Sequence, residues 1–351
     1  MKRVLVTGGS GFIGRYVCER LRHDGHDVTI LDLVPPSWAS DGIRIVRGDI
    51  RDRTAVDDAM AGCNALVHLA AAHHDFGISE GTYFDVNEGG ARVLCDAMDR
   101  VNLRRACFYS SVAVYGTVPE PRTETVPPRP ASPYGASKLA GEEVFRRWSE
   151  QGGDRRILVM RPAVVFGPRN FANMFALIRQ IHSGLFVRVG EGTNVKSTAY
   201  VDNLVDATFY LMTRGGGPAF DVYNYVDTPD LTSGEICDII SESLGRGPTR
   251  WSIPLPLAVA LASPFDVFIR LTGRNFPISS ARVRKLATMQ TKFVAEKVRQ
   301  AGFTPRVPLS AGLRSMTAWF VNEGQKQPVV SHLPPARVGG SLVASRKAAG
   351  A

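Results

Sequence analysis

The chain has 351 residues, 44% of them hydrophobic and 21% charged, a composition that predicts a globular protein with one large domain and a smaller lobe. The formal net charge of +9 is distributed unevenly along the chain, because residues 246–322 hold 12 basic and two acidic side chains. This positive segment favours an anionic small substrate, an acidic membrane surface or a solvated basic face. Nucleic acid is disfavoured, since no aromatic residues interleave with the basic ones.

Cysteine spacing and the N-terminal sequence indicate the cellular compartment. The five cysteines are scattered without a C-x-x-C pair, which argues against a zinc site or a disulfide framework and predicts buried thiols. The N-terminus does not show the pattern of a secretory signal peptide, which is a basic start followed by an apolar run and a cleavage site. Here the glycine-rich segment TGGSGFIG already begins at Thr7. We therefore expect a cytoplasmic protein.

The N-terminal half alternates short apolar runs with helical patterns, which predicts an α/β fold with a doubly wound parallel Rossmann sheet over residues 1–168. The predicted strands are RVLVTGG, DVTILDL, IRIVRGDI, ALVHLAA, RACFYSSVAVYG and RILVMRPAVVFGP, and the predicted helices lie near Ile13–Asp24, Arg53–Ala61, Asn87–Asn102 and Tyr134–Gln151.

After Pro168 the pattern changes to helices and short segments, including DVYNYVD, which predicts a smaller C-terminal α/β substrate-binding lobe over 169–324. Residues 199–213 are expected to fold back onto the sheet, and 325–351, rich in Pro, Gly, Ser and Ala, to form a flexible tail. The apolar stretch Ile253–Leu271 contains three prolines, an aspartate and an arginine. It predicts a packed helix rather than a spanning one, with loose membrane contact as the alternative.

The segment VLVTGGSGFIG places four glycines between a strand and a helix. Such glycines permit a tight turn and close backbone approach, and the helix N-terminus attracts a pyrophosphate. Asp32 ends the second strand, where a carboxylate can accept hydrogen bonds from the hydroxyls of the adenosine ribose and would repel a 2′-phosphate. NAD is therefore favoured over NADP. The predicted cofactor contacts here are Gly8, Gly11, Phe12, Ile13, Gly14 and Asp32.

Later strand ends should line the same crevice, since ligands in such sheets lie beyond the carboxyl ends of the strands. GDIRD offers Asp49 and Ile50 beside the adenine, and HLAA offers Leu69, Ala70 and Ala71 beside the dinucleotide. For Asp49 the alternative is a loop-capping role, and for the alanines it is core packing.

SPYGASK sets Tyr134 and Lys138 one helical turn apart, so the two side chains share a face. A cation beside a phenol lowers its pKa, so the pair predicts a general base. The alternative is an amphipathic helix with a snorkelling lysine.

Four elements, TGGSGFIG, HLAA, SSVAVYG and YGASK, resemble in that order the extended short-chain dehydrogenase/reductases, specifically the NAD-dependent epimerase/dehydratase group that acts on nucleotide sugars. The resemblance covers Lys2 to Gly324. It implies that Ser111 binds the reacting hydroxyl, that Tyr134 is the acid/base, and that Lys138 binds the nicotinamide ribose and lowers the tyrosine pKa. It further implies that Pro162 lies near the nicotinamide, that Asn87 and Ser110 support the cofactor pocket, and that the protein is a homodimer joined through the helices Asn87–Asn102 and Tyr134–Gln151.

Substrate contacts are predicted in the C-terminal half and after HLAA. The helix start at Asn173 suits a phosphate, Lys196 aligns with a basic residue that contacts the diphosphate in related epimerases, and Arg282 or Arg284 adds a second cation. An exposed surface charge is the alternative for each. In AAHHDF, one of His73, His74 and Asp75 is expected to line the sugar pocket. No metal is predicted, because adjacent histidines rarely converge on one ion.

The reaction is expected to be a reversible hydride step. In the resembling family, 4,6-dehydratases carry an Asp-Glu pair directly after the position of Ser111, and this chain has Val112 and Ala113 there. A 4-epimerase of a nucleotide sugar is favoured. One alternative is a sugar 4-ketoreductase or dehydrogenase. A second is a 3β-hydroxysteroid or sterol dehydrogenase, which the segments GEGTNVKSTAYVDNL and IPLPLAVALA also resemble. A third is a regulatory protein that only binds a dinucleotide.

Overall fold

Thirteen strands build one large sheet and three small ones in the part of the chain that the computed structural model describes, which comprises residues 2–73, 78–116, 122–184, 186–248, 252–272, 280, 283–284 and 290–327. The strands are β1 (Arg3–Thr7), β2 (Asp27–Asp32), β3 (Arg44–Arg47), β4 (Ala65–His68), β5 (Arg105–Tyr109), β6 (Arg156–Pro162), β7 (Val164–Phe166), β8 (Arg188–Val189), β9 (Val195–Lys196), β10 (Thr198–Tyr200), β11 (Phe220–Tyr225), β12 (Leu231–Thr232) and β13 (Ser252–Ile253).

The large sheet has seven strands in the order β11-β6-β5-β4-β1-β2-β3, and every neighbouring pair is parallel. β1, β4 and β5 are buried almost throughout because helices cover both faces, which is why they read as continuous apolar runs. The predicted doubly wound α/β fold is confirmed. β2 and β3 lie on one side of β1, and the chain then crosses to add β4 on the other side, so the strand order switches between β1 and β4. The crevice beyond the carboxyl ends of these two strands is where such sheets bind ligands.

Helices flank the large sheet and build much of the C-terminal part. They are α1 (Phe12–His23), α2 (Arg53–Met60), α3 (Glu80–Phe84), α4 (Gly90–Arg100), α5 (Pro133–Glu150), α6 (Asn173–Ser183), α7 (Val201–Thr213), α8 (Ser233–Ser243) and α9 (Leu255–Thr272), with further helices at Glu296–Gln300 and Leu309–Asn322. The helix predicted to begin near Asn87 begins earlier, because Ser79 caps α3 and a π-helical turn, Asp85–Gly89, joins α3 to α4.

β11 corrects the sequence-based assignment of DVYNYVD to the smaller lobe. This strand pairs in parallel with β6 along its full length and so completes the large sheet. Its half-buried first three residues and its polar residues obscured the strand pattern, since an edge strand is buried less evenly than a central one. α7 lies against α1, where Asp206 forms an ion pair with Arg20.

A second hydrophobic core lies in the C-terminal part of the chain. It joins α6, α8 and the helix Leu309–Asn322 through buried side chains that include Phe175, Ile240 and Trp319. All five cysteines are buried and unpaired, as predicted. Within the described ranges, no helix combines the length and apolar content needed to cross a bilayer. The predicted flexible tail lies almost wholly outside the described residues.

Candidate active site

The turn after β1 leaves no room for a Cβ at Gly8 or Gly14. Gly8 has a φ of +72°, and a Cβ there would lie 2.6 Å from the backbone nitrogen of Ala70, which follows β4. A Cβ on Gly14, in the first turn of α1, would lie 2.6 Å from the Cα of Gly9. The glycines therefore bring the β1 turn, the start of α1 and the end of β4 into direct backbone contact.

The N-terminus of α1 suits an anion. Gly11 occupies the N-cap and offers no side chain to the first-turn N–H groups, which belong to residues such as Phe12 and Ile13. By contrast, Asp52 caps α2 and Ser132 caps α5. An uncapped helix start beside a tight glycine turn fits the pyrophosphate of the predicted NAD.

Asp32 stands at the end of β2, half-buried beside this turn. Its carboxylate accepts the Ser10 N–H at 3.1 Å and the Val34 N–H at 3.4 Å. These bonds hold the carboxylate where the adenosine ribose is expected. The residues present therefore fit NAD at this end of the crevice.

The Asp49 side chain takes the loop-capping role that the sequence left open. Its carboxylate binds the Arg51 guanidinium at 2.7 and 3.0 Å and accepts the Arg51 N–H at 2.9 Å. Ile50 is buried, and a Cβ on Gly90 of α4 would collide with it. The adenine contacts assigned to Asp49 and Ile50 remain predictions.

The segment after β4 closes over β1. The N–H groups of Leu69 and Ala70 both donate to the carbonyl of Thr7, at 3.0 and 3.1 Å. Leu69, Ala70 and Ala71 are half-buried, so this segment forms part of the wall of the crevice. Pro162 ends β6, two strands away in the sheet, and is buried against Tyr225 of β11.

Asn87 links the segment after β4 to the helix that carries Tyr134. Its amide oxygen accepts the Ala72 N–H at 2.9 Å, and its Nδ2 donates to the Ala72 carbonyl at 3.1 Å and to Ser137 Oγ at 2.8 Å. The Ser137 hydroxyl donates in turn to the carbonyl of Tyr134 at 2.8 Å. Asn87 is 1% exposed, so this clamp is protected from water.

The structure brings Ser111 and Tyr134 together. Tyr134 lies in the first turn of α5, which begins there because Ser132 accepts the Gly135 N–H at 3.1 Å. Ser111 follows β5, and its side chain is hydrogen-bonded to Tyr134. The ring of Tyr83 packs edge-on against Tyr134 at 6.4 Å.

The protein groups alone shift the pKa of Tyr134 upwards, opposite to the direction expected from the sequence. Burial is the main cause, and the hydrogen bond from Ser111 opposes it. Burial also lowers the pKa of Lys138 to about 7, against the favourable charge of Glu142. Near neutral pH, Lys138 is therefore only partly charged and is a weaker cation than its sequence position implied.

Lys138 is 1% exposed, and its ammonium lies 4.3 Å from the centre of the Phe108 ring. Burying an ammonium group is costly unless it is hydrogen-bonded. The hydroxyls of a nicotinamide ribose would supply such bonds, so Lys138 also fits the predicted cofactor.

A buried polar network, which the sequence analysis missed except for Ser110, lies behind Lys138. The Ser110 hydroxyl donates to Glu142, and Arg161 binds the two Glu142 oxygens at 2.9 and 2.5 Å. Arg161 also donates to the Tyr115 hydroxyl at 2.8 Å, and Tyr115 donates to Asn224 of β11 at 2.9 Å. The network ties β5, α5, β6 and β11 together.

Two sequence signals could have revealed this network. Glu142 follows Lys138 by four residues and so lies on the same face of α5. Arg161 interrupts the apolar strand RILVMRP, and a charge inside a buried strand requires a partner. Neither signal names the partner, because pairing across the sheet depends on the fold.

Two of the predicted substrate residues lie on α6 and β9. Asn173 is exposed at the start of α6, whose N-terminus no side chain caps. Lys196 is half-buried in β9 beside Thr291. Their contacts with a substrate remain predictions.

Three further predicted contacts are described only in part. His73 is exposed, with its Nδ1 3.2 Å from the carbonyl oxygen of Ala71. Arg284 is exposed. Arg282, like His74 and Asp75, lies outside the described residues.

Comparison with known proteins places this site in a family. Residues 4–225 match the model of the NAD dependent epimerase/dehydratase family. The chain belongs to this family. It is thus an NAD-dependent enzyme of the extended short-chain dehydrogenase/reductase type, as predicted, and all four motifs of the sequence resemblance fall within the matched residues.

Relatives in the NAD dependent epimerase/dehydratase family differ in their reactions. An N-acetyl-alpha-D-glucosaminyl-diphospho-ditrans,octacis-undecaprenol 4-epimerase of Escherichia coli O157:H7 is 37% identical over 321 residues, 91% of this chain and 96% of that protein. A dTDP-glucose 4,6-dehydratase of Streptomyces niveus is 31% identical over 339 residues, 91% of this chain and 92% of that protein.

A solved structure supports the fold. The UDP-glucose 4-epimerase of Thermus thermophilus in complex with NAD superposes with a TM-score of 0.70 at 24% identity, covering 92% of this chain and 99% of that one. At this level of identity, the likeness concerns the fold and not the substrate.

Proposed function

We propose that this enzyme is a 4-epimerase of a hexose carried on a diphosphate. The observation that carries the proposal is the Tyr134 phenol, hydrogen-bonded to Ser111 in the first turn of α5, with the buried Lys138 one turn further on. The 4-epimerase relative, which aligns over nearly its whole length, supports the same reaction.

In the proposed reaction, Ser111 binds the C4 hydroxyl of the sugar and holds it beside the phenol. Tyr134 accepts the hydroxyl proton as the carbon becomes a carbonyl and returns it when the carbonyl is reduced on its other face. When bound, NAD supplies the hydride acceptor and a positively charged ring. Since burial raises the pKa of Tyr134, protonated Lys138 is needed nearby to stabilise the phenolate.

Dehydration is not proposed. The residues directly after Ser111 are Val112 and Ala113, which form a 3-10 turn and carry no acid or base. Loss of water from the sugar requires both groups, so a hydride step without dehydration fits this site better, despite the dehydratase relative.

The carrier of the sugar is either a nucleoside diphosphate, as the sequence predicted, or a polyprenyl diphosphate, as in the name of the 4-epimerase relative. The diphosphate is common to both. We propose that it is bound at the uncapped N-terminus of α6 near Asn173 and by Lys196, with Arg282 or Arg284.

A sugar 4-ketoreductase or a 3β-hydroxysteroid dehydrogenase would use the same Ser-Tyr-Lys chemistry. The discriminating assay incubates the purified enzyme, without added NAD, with UDP-N-acetylglucosamine or with polyprenyl-diphospho-N-acetylglucosamine. An epimerase interconverts the C4 epimers of one of these substrates and leaves the cofactor unchanged. In a parallel reaction with NAD added, accumulation of NADH without epimer would instead assign a net dehydrogenase.

Tyr134→Phe tests the proposed proton transfer. Loss of a general acid/base typically lowers kcat by about 10²- to 10⁴-fold, and NAD affinity should stay close to that of the unchanged enzyme. The matched control is Tyr109→Phe, which removes a buried phenol bonded to Thr208 at 2.7 Å and should keep kcat. Retained activity in Tyr134→Phe would remove Tyr134 from the mechanism.

We also propose a homodimer, the assembly implied by the family resemblance, with α4 and α5 at the interface. Light scattering after size exclusion tests it. A monomer at micromolar concentration would overturn it.

A further inference from the structure

α9 exposes a stripe of large apolar side chains. Leu257 is 52% exposed, Leu261 59% and Phe268 44%. Their spacing of four and seven residues places them on one face of the helix, together with Pro264. This apolar stripe of α9 is continuous over nearly three turns.

The helix rests on the protein through its adjacent face. Ala258 and Ala262 are 7% and 3% exposed, and each follows a residue of the stripe by one position. β13, just before the helix, pairs with β8. Asp266, which lies in α9, accepts the Ser280 N–H at 3.1 Å. α9 therefore lies along the protein surface with its apolar stripe outward.

This grouping differs from the other exposed apolar residues of the described chain. Ile45 on β3 and Val101 after α4, for example, stand singly on different elements. Isolated apolar residues are ordinary on protein surfaces, whereas a contiguous group marks a contact with a partner or a membrane.

The sequence segment that contains α9 is rich in basic residues. Residues 246–322 carry 12 basic and two acidic side chains. Of the described basic residues that follow the helix in this segment, the exposed ones are Arg284, Lys292, Arg306 and Arg314. Arg306 and Arg314 form ion pairs with Asp206 and Glu242, so they add less to the positive charge. One of the two acidic groups, Asp266, already accepts a backbone N–H. A second copy of the chain would bring the same positive segment to face this one, so charge disfavours self-association through the stripe.

We propose that α9 docks the enzyme on a lipid bilayer that contains anionic headgroups. The apolar stripe would enter the interface between headgroups and acyl chains, and the positive segment would face the anionic lipids. The helix would lie flat in this interface, because its Ala258 and Ala262 face stays packed on the protein. The inference goes beyond the proposed function and holds for either carrier of the sugar.

Vesicle flotation with the full chain tests the docking. The vesicles are phosphatidylcholine alone, or phosphatidylcholine with phosphatidylglycerol at about one lipid in three. The double variant Leu257→Gln/Leu261→Gln reduces the stripe, and Ile45→Gln/Val321→Gln is the matched control, since it replaces two exposed apolar residues elsewhere. NAD binding and thermal unfolding report whether each variant is folded.

We expect the wild type and the control to float with the anionic vesicles and to bind neutral vesicles at least tenfold more weakly. The stripe variant should lose at least tenfold in apparent affinity for the anionic vesicles while it still binds NAD. Equal binding by the wild type and the stripe variant, or no wild-type binding to anionic vesicles, would overturn the proposal. Conversion of a wild-type oligomer to a smaller species by the stripe variant would also overturn it, because the occupant would then be a second copy.

Discussion

Lys138→Met should change how the stability of the protein depends on pH. An unperturbed lysine titrates near 10.4, and burial lowers the pKa of Lys138 to about 7. Between these values, the unfolded chain holds a proton at this side chain that the folded protein does not. The free energy of unfolding therefore rises with pH in this window and falls again as the pH drops towards 7.

The magnitude follows from the width of the window. A full proton difference changes the free energy of unfolding by about 1.4 kcal/mol per pH unit. Because Lys138 is 1% exposed, solvent does not screen this effect. From about pH 8 to about pH 9.5, the wild type should gain about 2 kcal/mol that the Lys138→Met variant does not gain.

Urea unfolding followed by circular dichroism, without added NAD, measures this difference at the two pH values. Other titrating groups contribute to both curves and cancel when the variant is subtracted from the wild type. Lys292→Met, which replaces an exposed lysine, is the matched control and should follow the wild type. Parallel curves for wild type and Lys138→Met would refute the burial argument.

Two further variants test the packing behind the site and the cofactor turn. Arg161→Met should lower the free energy of unfolding by about 3–5 kcal/mol, because Glu142 is left as a buried charge without its partner. The double variant with Glu142→Met should lose less in the same urea assay, and equal losses would contradict this reasoning. Gly14→Ala should abolish NAD binding measured by calorimetry, since the turn has no room for a Cβ. Gly215→Ala, where a Cβ meets nothing within 4 Å, is its control, and unchanged binding by Gly14→Ala would count against the predicted pyrophosphate site.

The sequence by itself determined the features that follow from local rules. Alternating strands and helices predicted the parallel sheet, and the glycine spacing after β1 predicted the cofactor turn, because few other residues tolerate a φ of +72° with a backbone 2.6 Å away. Tyr134 and Lys138 were placed on one helix face by their spacing of four residues.

Tertiary structure decided the features that depend on distant partners and on exclusion of water. Glu142 and Arg161 are 19 residues apart, and only the packing of α5 on β6 joins them. Burial, not spacing, gives Lys138 its low pKa and raises that of Tyr134, because both charged forms lose water when the chain closes around them. Likewise, β11 was recognised as part of the sheet only through its pairing with β6, and the apolar sequence of α9 did not reveal which side chains face outward. Periodicity is a property of a segment, whereas desolvation and pairing are properties of the whole fold.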